Sequence, residues 1–360
     1  METMEPIGTI KATETIEPDV KIYHDNFVDE TINLKKYLMS IKGLCDEYDK
    51  RRPPLQNQIK YIESIKDEFF MTLDIHFFIV WEISRRFSEE EMLRHRKYYQ
   101  KELMPFFQLS PYNKRVYDKP LGYAGDYVMM IYLYEDGYEG DSTFAKLIHR
   151  YSMHVPAARA NHNRKDFYKM YINNSFIRSK TPRITSIASG PAVEIIEFLN
   201  DSPFSNAAKI TCLDFEKKAL EYVKKVVDEM ELTRRTKYKI NYINANIINM
   251  LRKKYYDVLD EDQDLIYSSG LIDYFNDHTA LKMIEALFNK LKKNGILIVG
   301  NVSTGNQHRA FTEILGEWYI NHRSEGDMLR LAEKINGEKN VQIEYEKETK
   351  MNIFMIITKL

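Results

Sequence analysis

Hydrophobic positions in the first half of the chain recur at helical spacing. Between Phe27 and Leu44 they mark one face of a helix, and a run over 56–83 repeats the pattern after a two-proline break. A capping-box motif at Ser88 predicts the start of a third helix, which closes near Pro105. Three further helices are predicted over 126–134, 142–153 and 157–178. This half is therefore predicted to consist of helices.

From Pro182 onward the period changes, and strand-like runs alternate with helical stretches. The strand-like runs are ITSIA (184–188), KITCLDF (209–215), KINYINA (239–245), DLIYSSG (264–270) and GILIVGNV (295–302). The helical stretches lie over 193–199, 216–230 and 280–293. This alternation predicts a doubly wound α/β sheet that is largely parallel. Two last strand-like runs, 341–348 and 352–360, predict a hairpin that adds one antiparallel strand.

Composition and charge disfavour several classes of partner and site, namely nucleic acid, anionic membranes, disulfides and thiolate metal sites. The 52 Lys and Arg residues nearly balance 53 Asp and Glu residues, so electrostatics give no reason to expect nucleic acid or an anionic membrane. Cys45 and Cys212 are too far apart for a disulfide framework or a thiolate metal site. The segment METMEPIGTIKATETIEPD has no apolar signal core, and apolar runs such as 77–81 are too short to span a bilayer. We expect a soluble, cytoplasmic protein, with a homodimer as one open alternative.

The loop after the first strand contains one glycine, Gly190, between Ser189 and Pro191. Small residues let a backbone pass close to a ligand, and alanine at 188 and 192 keeps the loop thin while restricting its torsions. Pro191 removes an amide that a phosphate group would use, which disfavours a pyrophosphate ligand. A plain strand-to-helix turn is the alternative interpretation.

Acidic and polar residues follow the second and third strands. Asp214 lies 214 − 190 = 24 residues after Gly190, close to the roughly 20 expected for an acid that binds ribose hydroxyls. The alternative is a helix N-cap. With the ribose role, Phe215 would pack against an adenine. Asn246 and Ile247 would give that ring an amide and an apolar wall, or Asn246 would cap a helix.

The fourth strand leads into Ser269 and Gly270, a small-residue turn, and then into Asp273 and Tyr274. Both of the latter side chains are candidates to face a substrate, or else to start a helix.

Together these positions resemble class I S-adenosylmethionine-dependent methyltransferases over residues 182–360. Two features depart from that pattern: Ser186 stands where the first strand usually carries an acid, and Ala188 and Ala192 replace two customary glycines. A narrower resemblance, over residues 105–360, is to the methyltransferase group of 3-hydroxypalmitic acid methyl ester biosynthesis. The segments that carry it are LGYAGDYVMM (121–130), PAARANHNR (156–164), GPAVE (190–194), YSSGLIDYF (267–275), GNVSTGNQHRAF (300–311) and EWYINHRS (317–324).

The resemblance implies a Rossmann-like seven-stranded methyltransferase sheet with an antiparallel last strand. It implies a helical N-terminal domain (1–180) that covers the acceptor, and a domain (181–360) that binds S-adenosylmethionine. The acceptor is expected to be a small or fatty-acid-like molecule, with carboxylate O-methylation as one option. The implied cofactor-binding residues are Ser186, Ala188, Ser189, Gly190, Asp214, Phe215, Asn246, Ile247, Ser269 and Gly270.

The chemistry of the acceptor decides which other residues matter. A carboxylate is ionised already and needs a cation to orient it, for which Arg164 and Arg323 are candidates. A hydroxyl needs a general base, for which His154, His162 and Asp273 are candidates. In the GYAGDY loop a tyrosine and an aspartate would face the pocket, or the aspartate would be only a helix cap. The candidate catalytic residues are Tyr123, Asp126, Arg164, Asp273 and Tyr274.

Other classes of function are weaker predictions. His149, His154 and His162 are five and eight residues apart, which does not place three ligands on one helix face, so no metal is expected. A nicotinamide-dependent dehydrogenase would have a fuller glycine motif and no terminal hairpin. A non-catalytic scaffold is favoured only by Ser186 and Ala188.

Overall fold

The computed structural model describes residues 24–230, 238–250 and 258–360 of the chain, so the segment inspected for a signal core lies outside the described residues. In the described part, helices precede the first strand: α1 (Asp25–Asp49), α2 (Leu55–Ser84), α3 (Glu89–Phe107), α4 (Pro111–Asp118), α5 (Tyr127–Glu135), α6 (Thr143–His154) and α7 (Pro156–Arg178). The predicted capping box is present at α3. The Ser88 hydroxyl accepts a hydrogen bond from the Glu91 amide, and the Glu91 carboxylate accepts one from the Ser88 amide.

The second half alternates strands and helices, as the hydrophobic pattern predicts. The strands are β1 (Arg183–Ile187), β2 (Ala208–Asp214), β3 (Tyr238–Asn244), β4 (Gln263–Ser268), β5 (Leu291–Val302), β6 (Lys339–Tyr345) and β7 (Asn352–Lys359). The helices are α8 (Val193–Asp201), α9 (Lys217–Glu229), α10 (Ile247–Met250), α11 (Asp277–Asn289) and α12 (Glu325–Glu333). A 3₁₀ turn lies at Ile272–Tyr274 and a π-helix at Ala310–Leu315.

All seven strands belong to one sheet in the order β3-β2-β1-β4-β5-β7-β6. Neighbouring strands from β1 to β5 pair in parallel, whereas β7 pairs antiparallel with both β5 and β6. The prediction of a Rossmann-like, seven-stranded sheet with an antiparallel last strand is therefore confirmed.

Helices cover both faces of this sheet. Successive strand residues face opposite sides. Leu265 and Tyr267 accordingly pack with α7, α8 and α9, while Ile266 packs with α11 and α12. Burial on both faces makes β4 and the end of β5 almost continuously buried, whereas the edge strand β3 is half-exposed. Because α7 lies directly on the sheet, it brings polar residues of the helical half to the edge where β4 ends.

The helices of the first half enclose a hydrophobic core of their own. Phe27, Phe77 and Phe107 are fully buried there. The same core contains Phe311 and Ile314 from the π-helix, so the segment between β5 and α12 packs among the N-terminal helices. The division into domains 1–180 and 181–360 stays a prediction.

Some sequence boundaries differ from the structure. The predicted helix over 280–293 is wrong at its end, because α11 ends at Asn289 and residues 291–293 already belong to β5. The cause is long-range: Leu291 pairs with Gln263 of β4, which outweighs the helical pattern of the segment. The short α4, the π-helix and α12 were not predicted.

Among the described ranges, every helix is too short or too polar to cross a membrane. Cys45 and Cys212 are both buried, free thiols.

Candidate active site

The carboxyl ends of β1, β2 and β4 lie side by side. Ile187 pairs with Leu213 of β2 on one side and with Ser268 of β4 on the other. The strand order reverses at this point, since β2 and β3 lie to one side of β1 and β4 and β5 to the other. Open α/β sheets bind ligands at such a switch point. The loops after these three strands therefore form the candidate active site.

The loop after β1 has glycine-like backbone geometry at two alanines. Ala188 (φ 51°), Gly190 (φ 52°) and Ala192 (φ 45°) all lie in the left-handed region. This region costs an alanine roughly 1–2 kcal/mol, because its Cβ crowds the following carbonyl. The two alanines thus keep the backbone path that glycines would take.

Substituting Ala188 with glycine is expected to leave the free energy of unfolding unchanged or to raise it by up to about 1 kcal/mol. Relief of left-handed strain offsets the greater flexibility that glycine gives the unfolded chain. The matched control is Ala207→Gly, a half-buried loop alanine outside the left-handed region, which should lose about 0.5–1 kcal/mol. Equal losses in the two variants, measured by urea denaturation, would contradict the strain at Ala188.

Asp214 joins the loop after β1 to the loop after β2. Its carboxylate accepts hydrogen bonds from the Gly190 amide and the Glu216 amide, both at 2.8 Å. Burial raises the pKa of Asp214, and these amide donors oppose that shift. The N-cap alternative does not describe Asp214, because the side chain of Glu216 caps α9 by accepting from the Lys218 amide. Asp214 retains further lone pairs for hydroxyl donors.

Tyr123 and Phe215 lie beside this acid. Their ring centroids are 5.3 Å apart. Burial raises the pKa of the Tyr123 hydroxyl, and the negative charges of Asp214 and Asp126 add to the shift. The Phe215 side chain is 48% exposed, so it is accessible to a planar ligand. The GYAGDY loop of the helical half therefore reaches the end of β2.

Two asparagines near the end of β3, Asn244 and Asn246, have different hydrogen-bonding roles. Asn246 caps α10, because its side-chain oxygen accepts from the backbone amide two residues on, at 2.9 Å. Ile247 is buried in the core beneath. Asn244, which sequence reasoning missed, donates to the carbonyls of Asp214 (3.1 Å) and Phe215 (2.8 Å) and so fixes the loop after β2. The sequence feature that indicates a role for Asn244 is its position at the end of β3, where it pairs with Asp214.

Arg164, on α7, lies against the loop after β4. Its Nη1 donates to the Ser269 carbonyl at 3.0 Å and to the side-chain oxygen of Asn161 at 2.8 Å. A Cβ on Gly270 would lie 2.9 Å from the same Nη1, so a glycine is required for this approach. Nη2 contacts the sulfur of Met130, and within the described residues Nε has no partner.

The charge of Arg164 is buried among uncharged hydrogen-bond partners. The residue is only 9% exposed. Burial opposes its charged form, but the nearby hydroxyls of Tyr134 and Tyr168 and the carboxylate of Asp273 outweigh this, and the pKa of Arg164 is raised. The end of β4 therefore carries a fixed positive charge, which favours an anionic ligand group.

Asp273, in the 3₁₀ turn after β4, is buried. Its carboxylate accepts a hydrogen bond from the Val302 amide at 2.7 Å. Burial raises the pKa of Asp273 to about 6, against the opposing influence of this bond and of Arg164 and Arg323. A carboxylate that titrates there can accept a proton near neutral pH.

The hydroxyl of Tyr274 connects the turn after β4 with the GYAGDY loop. It accepts a hydrogen bond from Trp318 Nε1 at 2.8 Å. A Cβ on Gly125 would lie 2.6 Å from this hydroxyl, so only glycine permits the contact. Burial raises the pKa of Tyr274, which stays protonated.

Arg323 has a different role from Arg164. It donates to the carbonyls of Ile272 and Phe275 and to the side-chain oxygen of Asn301, at 2.6–2.8 Å. Its remaining N–H groups bond the Asp277 carboxylate. With all five donors bound to protein, Arg323 clamps the turn after β4 and has none left for a ligand.

Asp126 is fully buried at the start of α5. One carboxylate oxygen caps the helix by accepting from the Met129 amide at 2.9 Å, and it also accepts from Arg115 Nε at 2.8 Å. Asp126 therefore caps α5, as the alternative interpretation predicts. The second oxygen, Oδ2, is buried without a hydrogen-bond partner in the part that the structure describes.

The histidine candidates are bound elsewhere in the helical half. His162 Nδ1 bonds the Leu133 carbonyl at 2.9 Å, and the His154 ring lies against Phe70. Burial lowers the pKa of His149 to about 4, so its ring is neutral. The described ranges contain no group of three side chains arranged to hold a metal ion.

Glu194 is a buried acid that lies close to Ser186, the position where β1 has a serine in place of an acid. Ser186 hydrogen-bonds the Tyr267 hydroxyl, which in turn donates to Glu194 Oε1 at 2.8 Å. Burial raises the pKa of Glu194. The sequence pattern predicts no role for Glu194, although a glutamate in the first turn of an otherwise apolar helix is a signal for one.

Several buried polar atoms at these strand ends have no partner among the described residues. They include Ser189 Oγ, Ser268 Oγ, Arg164 Nε and Asp126 Oδ2. Folded proteins pair nearly all buried polar groups, so each of these atoms has room for a partner such as a water molecule, an ion or a ligand. The arrangement thus fits a polar ligand at the switch point.

Comparison with known proteins finds similarity in fold but not in sequence. No family model and no curated protein matches the sequence. A "possible exported protein" of Bordetella parapertussis has a TM-score of 0.52 at 14% identity, over 65% of this chain and 79% of that one. An N-methyltransferase of Bradyrhizobium japonicum in complex with S-adenosylhomocysteine has a TM-score of 0.38 at 12% identity, over 57% and 89%. Magnesium protoporphyrin IX methyltransferase of Synechocystis with bound S-adenosylmethionine has a TM-score of 0.40 at 8% identity, over 57% and 84%.

Proposed function

We propose that this protein is an S-adenosylmethionine-dependent methyltransferase that acts on a small or fatty-acid-like acceptor. The observation that carries the proposal is the arrangement of charges around the switch point. Asp214 is tied to Gly190 across the ends of β1 and β2, and the buried cation Arg164 lies at the end of β4. The site therefore offers an acceptor for hydroxyl groups at the end of β2 and a cation for an anionic group at the end of β4.

The residues at the strand ends fit S-adenosylmethionine. Asp214 offers carboxylate oxygens to ribose hydroxyls, and the exposed ring of Phe215 offers a face to adenine. Asn246 is exposed after the neighbouring strand, and the unpaired Ser189 hydroxyl can bond a polar group. When bound, the cofactor supplies an electrophilic methyl group on a sulfonium, which is transferred by in-line displacement.

The acceptor is proposed to present a carboxylate to Arg164. A guanidinium binds a carboxylate through parallel hydrogen bonds, and in a water-excluded site this fixes the orientation of the attacking oxygen. Tyr123, Asp126 and Tyr274 are the proposed neighbours of the acceptor, since the GYAGDY loop meets the turn after β4.

Methyl transfer is tested with S-adenosylmethionine carrying a deuterated methyl group. The purified chain is incubated with straight-chain acids of graded length, including 3-hydroxypalmitic acid, and with matched alcohols and amines. We expect labelled methyl esters and an equal amount of S-adenosylhomocysteine, detected by mass spectrometry. The proposal fails if no acceptor yields more S-adenosylhomocysteine than Asp214→Ala does.

The pH dependence of turnover distinguishes a hydroxyl acceptor from a carboxylate. A base must be ionised, so for a hydroxyl kcat/KM should rise with pH up to about 6, the pKa of Asp273, and then level off. Asp273→Asn keeps an oxygen for the Val302 amide but should remove this rise and lower the plateau about 10²–10⁴-fold. For a carboxylate acceptor, Asp273→Asn should leave the shape of the profile between pH 5 and 8 unchanged.

A further inference from the structure

The outer side of α2 carries a row of exposed apolar side chains. Met71 is 59% exposed, Ile75 53% and Phe78 47%. Their spacing of four and then three residues aligns the three side chains along the helix. Single exposed apolar residues are ordinary on a soluble protein, whereas an aligned row of them is typical of an interaction surface. We name this row the α2 stripe.

The other sides of α2 are packed against the rest of the helical half. Phe69 and Phe77 are buried in its core. His76 bonds Glu30 of α1 at 2.9 Å through Nδ1 and the Tyr99 hydroxyl of α3 at 3.0 Å through Nε2. These contacts fix the rotation of α2 about its own axis. The α2 stripe is therefore held outward as part of a rigid helix.

Opposite charges lie at the two ends of the α2 stripe, equally far from its centre. Glu68 precedes Ile75, and Arg85, the C-cap residue of α2, follows Phe78, each by seven residues (75 − 68 = 85 − 78 = 7). Both charged residues are exposed. Arg85 bonds Glu82 on its own helix through Nη1, which leaves guanidinium donors for a second carboxylate. This pattern is complementary to an antiparallel copy of the same helix.

The charges favour one register for such a pair of helices. When Ile75 lies opposite Phe78 of a second copy, Glu68 lies opposite Arg85 of that copy, and the same contact occurs at the other end. When Ile75 instead lies opposite Met71, Glu68 lies against Phe78, which leaves an acid beside an aromatic ring. A register that desolvates an unpaired charge is disfavoured. The first register thus combines an apolar centre with opposite charges at both ends.

We propose that the protein forms a symmetric homodimer in which the α2 stripe packs antiparallel against the α2 stripe of a second copy. The twofold axis passes between Ile75 and Phe78, so both chains use the same surface and the contact closes on itself. Met71 then covers the methylenes of Glu82 from the second copy. An anionic membrane is a poorer partner, because it would repel Glu68. The proposal does not depend on the methyltransferase function.

Sedimentation velocity of the purified chain, at low salt and from about 1 to 100 µM, measures the association directly. Phe78→Glu places a charge at the centre of the proposed contact. Its matched control is Ile177→Glu, at an apolar residue of α7 that is 71% exposed. Glu68→Arg and Arg85→Glu each reverse one end charge, and the double variant reverses both.

We expect the parent and Ile177→Glu to pass from a monomer to a species of twice that mass. The dissociation constant should be micromolar, because one helix pair buries less area than a standard interface. Phe78→Glu should weaken the dimer at least about tenfold, since each copy loses a buried aromatic ring. Glu68→Arg or Arg85→Glu alone should weaken it about threefold, because like charges then meet twice in the dimer. The double variant should recover most of the parental affinity.

A parent that stays monomeric at every concentration would overturn the proposal, and this outcome requires no variant to fold. Co-sedimentation of that monomer with phosphatidylglycerol vesicles would identify a membrane as the partner of the α2 stripe. A dimer that Phe78→Glu leaves unchanged, or single charge reversals that the double variant does not rescue, would overturn the antiparallel contact of α2. Because sedimentation needs no cofactor, these results are separate from any test of the methyltransferase proposal.

Discussion

Replacing Asp214 with alanine is expected to weaken the binding of S-adenosylmethionine more than tenfold, by about 1.4 kcal/mol or more. The change removes the proposed acceptor of the ribose hydroxyls. It also removes the carboxylate that bonds the Gly190 and Glu216 amides, both at 2.8 Å, so the loop after β1 loses its attachment to β2. Charge-assisted hydrogen bonds of this kind contribute about 1.5–3 kcal/mol each. Calorimetric titration measures the affinity.

Controls separate a direct contact from general damage. Asp201→Ala removes an exposed carboxylate at the end of α8 and should leave the affinity unchanged. 5′-Methylthioadenosine keeps the ribose and adenine but lacks the amino-acid part, so its affinity should fall with Asp214→Ala as much as that of S-adenosylmethionine. A folded Asp214→Ala variant with parental affinity for both molecules would remove Asp214 from the cofactor site.

Replacing Arg164 with methionine is expected to lower kcat/KM for a carboxylate acceptor at least a hundredfold, about 2.7 kcal/mol of transition-state stabilisation. Methionine retains much of the aliphatic bulk, while the charge and the bonds to Ser269 and Asn161 are lost. Because Arg164 is buried among uncharged partners, no described carboxylate is left unpaired within hydrogen-bond reach. Affinity for S-adenosylmethionine should change less than about threefold, well under 1 kcal/mol.

The matched control for this variant lies on the same helix. Arg159→Met removes an arginine of α7 that pairs with Asp136 outside the strand ends, and turnover should be retained. Single-turnover kinetics and calorimetry of both variants give the comparison. If Arg164→Met loses affinity for S-adenosylmethionine and keeps acceptor turnover at saturating cofactor, the cation belongs to the cofactor and not to the acceptor.

The sequence predicted the sheet and its functional edge because both depend on local patterns. Short strand-like runs that alternate with helical stretches predict all seven strands, and parallel strands in register bring their ends together. The positions of Gly190 and Asp214 followed from this alone. The 24-residue spacing between them is realised as a direct hydrogen bond.

The remaining features depend on contacts between distant segments, which no local period encodes. Arg164 and Arg323 looked equivalent as candidate cations, yet one has only uncharged partners and the other has all its donors bound to protein. The approach of Arg164 to Gly270 joins residues more than a hundred positions apart. The packing of Phe311 and Trp318 in the helical half likewise joins them to helices that precede them by about two hundred residues.

Calorimetric titration of the parental chain measures directly whether the switch point binds S-adenosylmethionine. S-adenosylmethionine and S-adenosylhomocysteine are titrated separately, with NADH as the comparison ligand. We expect dissociation constants in the micromolar range for the first two and no heat of binding for NADH. A folded protein that binds neither S-adenosylmethionine nor S-adenosylhomocysteine would contradict this expectation.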